Sequence, residues 1–399
     1  MGVRVKVHRL LAEAAAALVG SVICDHRVLD RELASLFARN PRWGKRDRSF
    51  VAETVFEVVR WFRALAFVAD SDEASAQCAA QWLRMGCEIP AWLTHSGCAA
   101  EEMRAREAML QSQPRAVRES IPDWLDETGM AELGDHWDRE LVALNRRARI
   151  YLRANTLRNS AVDAIRWLAE QGIDAEVVAG FPDAIVLKEG VLLPTQLKND
   201  GRVEIQDVAS QCITPLVGAR PGDVVVDACA GAGGKTLHLA ACMQNQGVIH
   251  ALDADARRLH TLAQRAKRAG VSIIRTHATD DLILRQLKGS ADCVLIDAPC
   301  SGLGTLKRQP DLKWRLTPER LNDLLALQLR ILRDHAALVK PGGRLVYATC
   351  SILPSENRSI IDEFLNQAEF EFVESLQISP ADSGFDGFGA TVLSKRFSA

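Results

Sequence analysis

The sequence predicts an α/β protein: a doubly wound, Rossmann-like sheet in its C-terminal half, preceded by a small α/β module and an all-helical N-terminal region. Three observations predict this. From about residue 206 onward, short apolar runs alternate with helical segments, the pattern of a parallel sheet covered on both faces. A glycine-rich turn follows the first of those runs directly. From about residue 4 to 142, apolar residues recur at helical spacing between proline breaks. A chain of 399 residues exceeds what one hydrophobic core organises, and the shifts in pattern divide it at 1–142, 143–205 and 206–399.

Composition narrows the class. Hydrophobic residues at 48% and charged ones at 25% exclude a largely disordered or collagen-like chain. A net charge of -2 lacks the basic excess of a dedicated nucleic-acid binder, so any such surface is local. No apolar run reaches the length of a membrane span. The start, Met1 to His8, lacks the apolar stretch of a secretory signal, and Gly2 lacks the Ser/Thr of a myristoylation site. The sequence is therefore read as a cytoplasmic protein, acting as a monomer. Ten cysteines without a CxxC pair or regular spacing indicate neither a disulfide framework nor a metal site.

In the N-terminal region Leu10, Leu11, Ala14 and Leu18 share a helical face, and a long periodic segment runs from Phe50 to Val68. Breaks are expected at Asn40-Pro41, Ile89-Pro90, Gln113-Pro114 and Ile121-Pro122, because proline removes a donor and disfavours helix at its predecessor. Trp43, Trp61, Trp82 and Trp137 are expected as core or interface anchors. Lys45-Arg46-Asp47-Arg48 is either a phosphate contact or a solvated helix face.

Between about 145 and 205 the sequence predicts a strand at Ile150 to Asn155, a helix at Ala161 to Gln171 and a strand at Ala184 to Leu187. Its entry, Asn145-Arg146-Arg147-Ala148-Arg149 with Arg153 and Arg158, is the densest basic stretch of the chain. It is suited to phosphate contacts, with plain solvated charge as the alternative. Farther on, Val224 to Asp227, Val248 to Asp253, Ser272 to Arg275, Cys293 to Asp297 and Arg344 to Ala348 read as the strands of the large sheet.

The turn Asp227-Ala228-Cys229-Ala230-Gly231-Ala232-Gly233-Gly234-Lys235-Thr236 joins a strand to a helix N-terminus, where glycines let backbone approach a nucleotide-like ligand. A P-loop is disfavoured, because Cys229 stands where that motif requires glycine. Asp253, at the end of the second strand, is placed to accept from ribose hydroxyls, and Asp280, after the third, to reach an adenine; for each the alternative is an ordinary surface or capping aspartate.

Two cysteines stand at strand ends, in Asp297-Ala298-Pro299-Cys300-Ser301-Gly302 and in Ala348-Thr349-Cys350-Ser351. Strand ends of a doubly wound sheet line one crevice, so Cys300 and Cys350 should meet beside the glycine turn. A thiolate can attack an electron-poor carbon such as carbon 6 of cytosine. That attack makes carbon 5 nucleophilic enough to take a methyl group from a sulfonium donor. A lone cysteine is more often a buried structural residue, and a redox pair is the remaining alternative.

With these residues in place, positions of about 145 to 397 resemble the Nol/Nop/Sun (RsmB-like) family of RNA 5-methylcytosine methyltransferases, which contains the bacterial small-subunit ribosomal RNA enzymes. The resemblance rests on Arg153-Ala154-Asn155-Thr156, on the run from Val203 to Ser210, and on the Asp227 to Thr236 turn. It continues through Asp297 to Gly302, Lys307 to Trp314 and Tyr347 to Ser351. It implies that Cys350 is the nucleophile, that Cys300 helps release the methylated product, that Asp297 holds the base edge and that Lys235 lies near the reacting groups. It also implies that Cys229, Ala230, Gly231, Ala232, Gly233, Gly234, Lys235, Asp253, Asp280 and Asp297 surround S-adenosylmethionine, without a metal. Ala232 departs from the proline common in the family. The segment before Asp280 departs from a usual glycine, which leaves Asp281 as the neighbouring candidate.

More weakly, Gly44 to Arg48 and the helix from Val55 to Trp61 resemble a NusB-like helical domain, and residues 143–205 correspond to an RNA-recognition-like module. The implied partner is structured RNA, ribosomal RNA before transfer RNA. A catalytically silent, RNA-binding ribosome-assembly factor is the alternative from another class. An amino-group methyltransferase is disfavoured, because Asp-Ala-Pro-Cys stands where such enzymes often carry Asn/Asp-Pro-Pro-aromatic.

Overall fold

The computed structural model describes residues 7–90, 92–93, 99–188, 190–191, 194, 197 and 199–397. The reading of residues 1–6 as free of a targeting signal lies outside them. The chain divides into two compact units, residues 1–146 with 306–318, and residues 147–305 with 319–399.

The first unit is helical. Its principal helices are Arg9–Cys24, Leu29–Arg39, Lys45–Arg60, Phe62–Ala69, Ala74–Arg84, Ala100–Met109, Asp123–Leu133 and His136–Leu144. The proline breaks fall as the backbone chemistry requires: one helix stops at Arg39, before Pro41, and others start directly after Pro114 and Pro122. The periodic segment from Phe50 to Val68 is two helices rather than one, interrupted at Trp61, where ψ rises to 24°. Val51, Val55, Val58 and Val59 lie on one face and are fully buried against Val19, Val22 and Cys78. Each such aliphatic side chain contributes about 1.5–3 kcal/mol by leaving water.

Trp82 and Trp137 are buried, and each donates its indole N–H, to Thr54 Oγ1 at 2.9 Å and to Asp126 Oδ1 at 2.8 Å. Trp43 and Trp61 pack on the core from its margin. The run Lys45 to Arg48 forms a helix start: Asp47 accepts from Gly44 N and Arg48 donates to Trp43 O, leaving Lys45 and Arg46 exposed.

The segment 306–318 packs entirely with this helical unit. Lys313 Nζ donates to Arg60 O at 2.8 Å, Trp314 Nε1 to Val59 O at 2.7 Å, and Arg60 Nη2 to Lys307 O at 3.0 Å. Trp314 meets Phe62 edge to face at 5.5 Å. Burial pushes the Lys313 amine well below its ordinary range. Nothing in the local pattern of Lys307 to Trp314 announces these long-range partners.

The second unit contains two sheets. The smaller is antiparallel, with β1 (Tyr151–Ala154), β2 (Ala175–Val178), β3 (Phe181–Leu187) and β4 (Val203–Ile205) in the order β2-β3-β1-β4. The helix Ala161–Glu170 begins in a reciprocal cap between Ser160 and Asp163.

The larger sheet comprises β5 (Val224–Asp227), β6 (Val248–Asp253), β7 (Ile274–Ala278), β8 (Ala291–Asp297), β9 (Val339–Thr349), β10 (Phe370–Ile378) and β11 (Phe388–Lys395). Its order is β10-β11-β9-β8-β5-β6-β7, with the five strands from β5 to β9 parallel and β11 antiparallel to β9. The Rossmann-like sheet is thus present, extended by a hairpin the sequence reading did not include. Chain order reverses at β5, where β6 lies to one side and β8 to the other, so a crevice opens beyond the ends of these strands. The third parallel strand runs over Ile274–Ala278 rather than Ser272 to Arg275. It is a half-exposed edge with no apolar run to mark its ends.

Among the described residues no helix is long and apolar enough to cross a membrane.

Candidate active site

The register of the sheet dictates where the two cysteine loops emerge. Asp297 at the end of β8 is paired with Ala348 of β9, so the chain leaves both strands at one level. Cys300 Sγ and Cys350 Sγ stand 3.2 Å apart, and both residues are half-buried. The loops are joined through backbone as well, by Gly304 N donating to Cys350 O at 3.0 Å and Ala298 N to Ala348 O at 2.8 Å. The Cys300 thiol is raised well above its ordinary range, first by its hydrogen bond with Cys350 and then by burial.

Beneath the sulfurs lies a buried polar network that sequence reading missed. Glu356 accepts from Ser301 N at 2.8 Å, from Ser301 Oγ at 2.5 Å and from Gln328 Nε2 at 2.9 Å. Gln328 also donates to Pro299 O, and Tyr347 OH donates to Glu356 O. On the other loop, Thr349 Oγ1 donates to Asn357 Oδ1, while Asn357 Nδ2 donates to Ser351 O and Leu353 O. Ser301, Tyr347, Thr349 and Ser351 fall within the two cysteine motifs, whereas Gln328 from a helix interior and Glu356 and Asn357 from a short turn carry no motif that would single them out.

Lys235 and Asp297 meet as an ion pair at 2.7 Å, Nζ to Oδ2, with Lys235 only 8% exposed. Its ammonium also sits 4.8 Å from the ring centroid of Phe388, which comes from β11 and was not anticipated. Fully buried below them, Asp227 accepts from Thr236 Oγ1 at 2.7 Å, while its Oδ1 has no partner. Burial, first of all, pushes the Asp227 carboxyl from 3.8 up to about 7.

An acid raised in the fold adds stability that is complete below 3.8 and lost as pH rises towards about 7. Asp227→Asn is therefore expected to gain thermal stability relative to the parent between pH 4 and 7. A melting-temperature difference that stays flat across that window, followed by circular dichroism, contradicts this account.

The glycine turn has the backbone its sequence suggested. Gly231 and Gly233 adopt φ of 55° and 91°, and a Cβ at Gly233 would lie 2.6 Å from Leu262 Cγ. Asp253 accepts from Gly231 N at 2.9 Å and Asp255 N at 2.7 Å, which anchors the turn while each oxygen keeps acceptor capacity. This close-approach backbone, with a carboxylate at the next strand end, fits an adenosyl group. The partly buried Cys229 thiol is raised by burial and then by Asp227, Asp297 and Asp253. Asp280 Oδ1 accepts from Ile283 N at 2.8 Å as a helix cap, and no contact joins it to the other site residues.

The basic entry stretch is corrected at one residue. Arg153 is 2% exposed and gives Nε to Gln206 Oε1 at 2.7 Å, so it is part of the interior rather than a phosphate contact. Burial pushes its guanidinium down to about 10, which still leaves it charged at neutral pH. Its motif belongs to a joint between the two sheets. Asn155 Nδ2 donates to Gly201 O and Ala269 O, and Glu204 holds Arg265 at 2.7 Å. Arg265 in turn donates to Ala232 O at 2.6 Å, tying the glycine turn to β4. Arg146, Arg147 and Arg149 are exposed. Among the described residues no group of three or more His, Cys, Asp or Glu could hold a metal.

Comparison with known proteins places this arrangement in context. A family model described as 16S rRNA methyltransferase RsmB/F matches residues 215–390, and one for an RsmF/B-like ferredoxin-like domain matches residues 121–193. The probable ribosomal RNA small subunit methyltransferase B of Synechocystis sp. is 39% identical over 258 residues, covering 63% of this chain and 57% of that protein. Its counterpart in Pasteurella multocida is 35% identical over 312 residues, covering 73% of this chain and 69% of that protein. The chain thus matches between about three-fifths and two-thirds of these relatives' length. A solved methyltransferase homolog protein from Pyrococcus horikoshii is 26% identical with a TM-score of 0.63, covering 72% of this chain and 99% of that one.

Proposed function

From the premise that this chain belongs to the 16S rRNA methyltransferase RsmB/F family, we propose that it methylates carbon 5 of a cytosine in small-subunit ribosomal RNA through a covalent adduct on Cys350. The observation that carries this reading is the 3.2 Å approach of two thiols at the ends of adjacent strands, close to a glycine turn built for an adenosyl group. An amino-group methyltransferase needs no thiol, and a silent assembly factor needs neither.

S-adenosylmethionine, when bound, supplies an electrophilic methyl group on a sulfonium sulfur. The residues that would hold it are the backbone of Cys229 to Lys235, with Asp253 accepting from the ribose. The Cys350 thiolate gives an electron pair to carbon 6 of the cytosine, which makes carbon 5 nucleophilic enough to take the methyl group that a bound donor would supply, with the donor's sulfur leaving as a neutral thioether. A base then takes the carbon 5 proton, the electrons of that bond re-form the 5,6 double bond, and the carbon 6–sulfur bond breaks to release Cys350 as thiolate. Asp297, oriented by Lys235, is the acceptor for the polar edge of the base. Cys300, beside the adduct sulfur, assists its release.

The decisive experiment incubates the purified full chain with S-adenosylmethionine and an unmodified 16S ribosomal RNA transcript, then digests the RNA for nucleoside mass spectrometry. We expect 5-methylcytidine at one position. Methylation confined to transfer RNA moves the substrate, and a methyl group on an exocyclic nitrogen defeats the thiol mechanism.

The turn-holding role of Arg265 gives a separate expectation. Arg265→Ala frees the Ala232 carbonyl and leaves Glu204 without its nearest cation, so the dissociation constant for S-adenosylhomocysteine should rise by about tenfold, as for loss of one charge-assisted hydrogen bond. Titration calorimetry on the folded variant measures it, and an unchanged constant rules out the role.

A further inference from the structure

We propose that Glu356 is a positioning residue that, once the pair of thiols has given up one proton to solvent, keeps the remaining one on Cys300, so that the Cys350 sulfur is the one free to attack. The inference rests on the thiol chemistry proposed above and deepens it, because two sulfurs at 3.2 Å are interchangeable by distance alone.

Glu356 is fully buried, and its side-chain partners are neutral: the amide and hydroxyl of Ser301 and the amide of Gln328. Among the described residues no lysine or arginine pairs with it. A buried carboxylate with no cation is costly, and such groups concentrate where a charge has work to do at a reacting centre. Its placement is also one-sided. Two of the three bonds of its side chain go to Ser301, the residue that follows Cys300, while Ser351, which follows Cys350, has no bond to the carboxylate and is linked to it through Ser301 Oγ at 3.3 Å.

Negative charge on that side disfavours a Cys300 thiolate. The hydrogen bond with Cys350, burial and the Glu356 carboxylate raise the Cys300 thiol, in that order, against a smaller lowering by the backbone amide of Gly302. The Tyr347 hydroxyl, donating to Gln328 Oε1 and Glu356 O, is itself raised by burial and by Cys300 and Glu356. The Lys235–Asp297 pair at the end of β8 is internally neutralised.

Glu356→Gln separates charge from geometry. The glutamine oxygen can still accept from Ser301 N and Gln328, and its amide can donate to Ser301 Oγ, which then accepts. The full chain, without RNA or methyl donor, is treated with iodoacetamide across pH 6 to 10, and each cysteine peptide is quantified by mass spectrometry. In the parent protein Cys350 should be alkylated before Cys300 by a factor of roughly ten or more at neutral pH. In Glu356→Gln that preference should shrink by roughly tenfold, as Cys300 begins to react at lower pH.

Ser301→Ala, which removes a hydroxyl but leaves the carboxylate, should retain the parental order. Three results overturn the proposal: alkylation of Cys300 first in the parent, an unaltered ratio in Glu356→Gln, or the same collapse in Ser301→Ala. The first needs no variant, so a misfolded glutamine protein does not shield the idea. Thiol labelling involves no nucleic acid, so a failed methylation assay and a failed labelling order are told apart directly.

Discussion

Cys350→Ala is expected to lower methyl transfer to 16S ribosomal RNA by more than about 10⁴-fold, the scale seen when a covalent nucleophile is deleted. The loss should lie in the chemical step. Among the described residues the Cys350 side chain hydrogen-bonds with Cys300 alone, and its backbone carbonyl keeps the bond from Gly304 N, so the fold should survive the change. Binding of S-adenosylhomocysteine and the melting temperature should both stay near the parental values. Transfer of a labelled methyl group, measured at saturating donor and RNA, reads the effect. A variant that keeps activity within tenfold of the parent removes Cys350 from the role of nucleophile.

Cys300→Ala should give the opposite kind of failure. Addition and methyl transfer need only Cys350, so a first turnover proceeds, but release of the product lacks the thiol that stands 3.2 Å from the adduct sulfur. RNA-linked protein should therefore accumulate and appear as a slowly migrating band on a denaturing gel. In the double variant with Cys350→Ala the band should be lost, because no sulfur remains to hold the base. A Cys300→Ala preparation that turns over repeatedly with no adduct refutes the division of labour, and it does so independently of the Cys350 result. The two variants together also distinguish this mechanism from an RNA-binding factor that merely retains the fold, since such a protein would be indifferent to both.

Much of this site was legible because its parts lie where local patterns are strongest. Asp227, Asp253 and Asp297 each end an apolar strand, and the largely buried interiors of those strands announce themselves as short hydrophobic runs. The glycine turn was legible for a different reason: positive φ at Gly231 and Gly233 can be met cheaply only by glycine. β10 was missed because it is a sheet edge exposed from Glu371 to Ser375, and its alternation of apolar and polar residues is broken in the middle by a register shift between Phe372 and Glu374. Arg153 was misread because charge in a sequence says nothing of burial, and its partner Gln206 is 53 positions away.

The amino-acid sequence alone determined the class of fold, the strand ends that carry the carboxylates and sulfurs, and the conformation of the cofactor turn. Each depends on periodicity or on a backbone preference acting within a few residues. Only the tertiary structure decided which groups meet: that Lys235 is neutralised by Asp297 and capped by Phe388, that Arg265 grips the glycine turn from β4, and that Lys307 to Trp314 pack with the helical unit. It also decided that a buried carboxylate is bonded to the residue after Cys300 and not to the residue after Cys350. The physical reason is that hydrogen bonds and ion pairs between distant segments leave no periodic trace. They exist only once the packed core has brought their partners within about 3 Å.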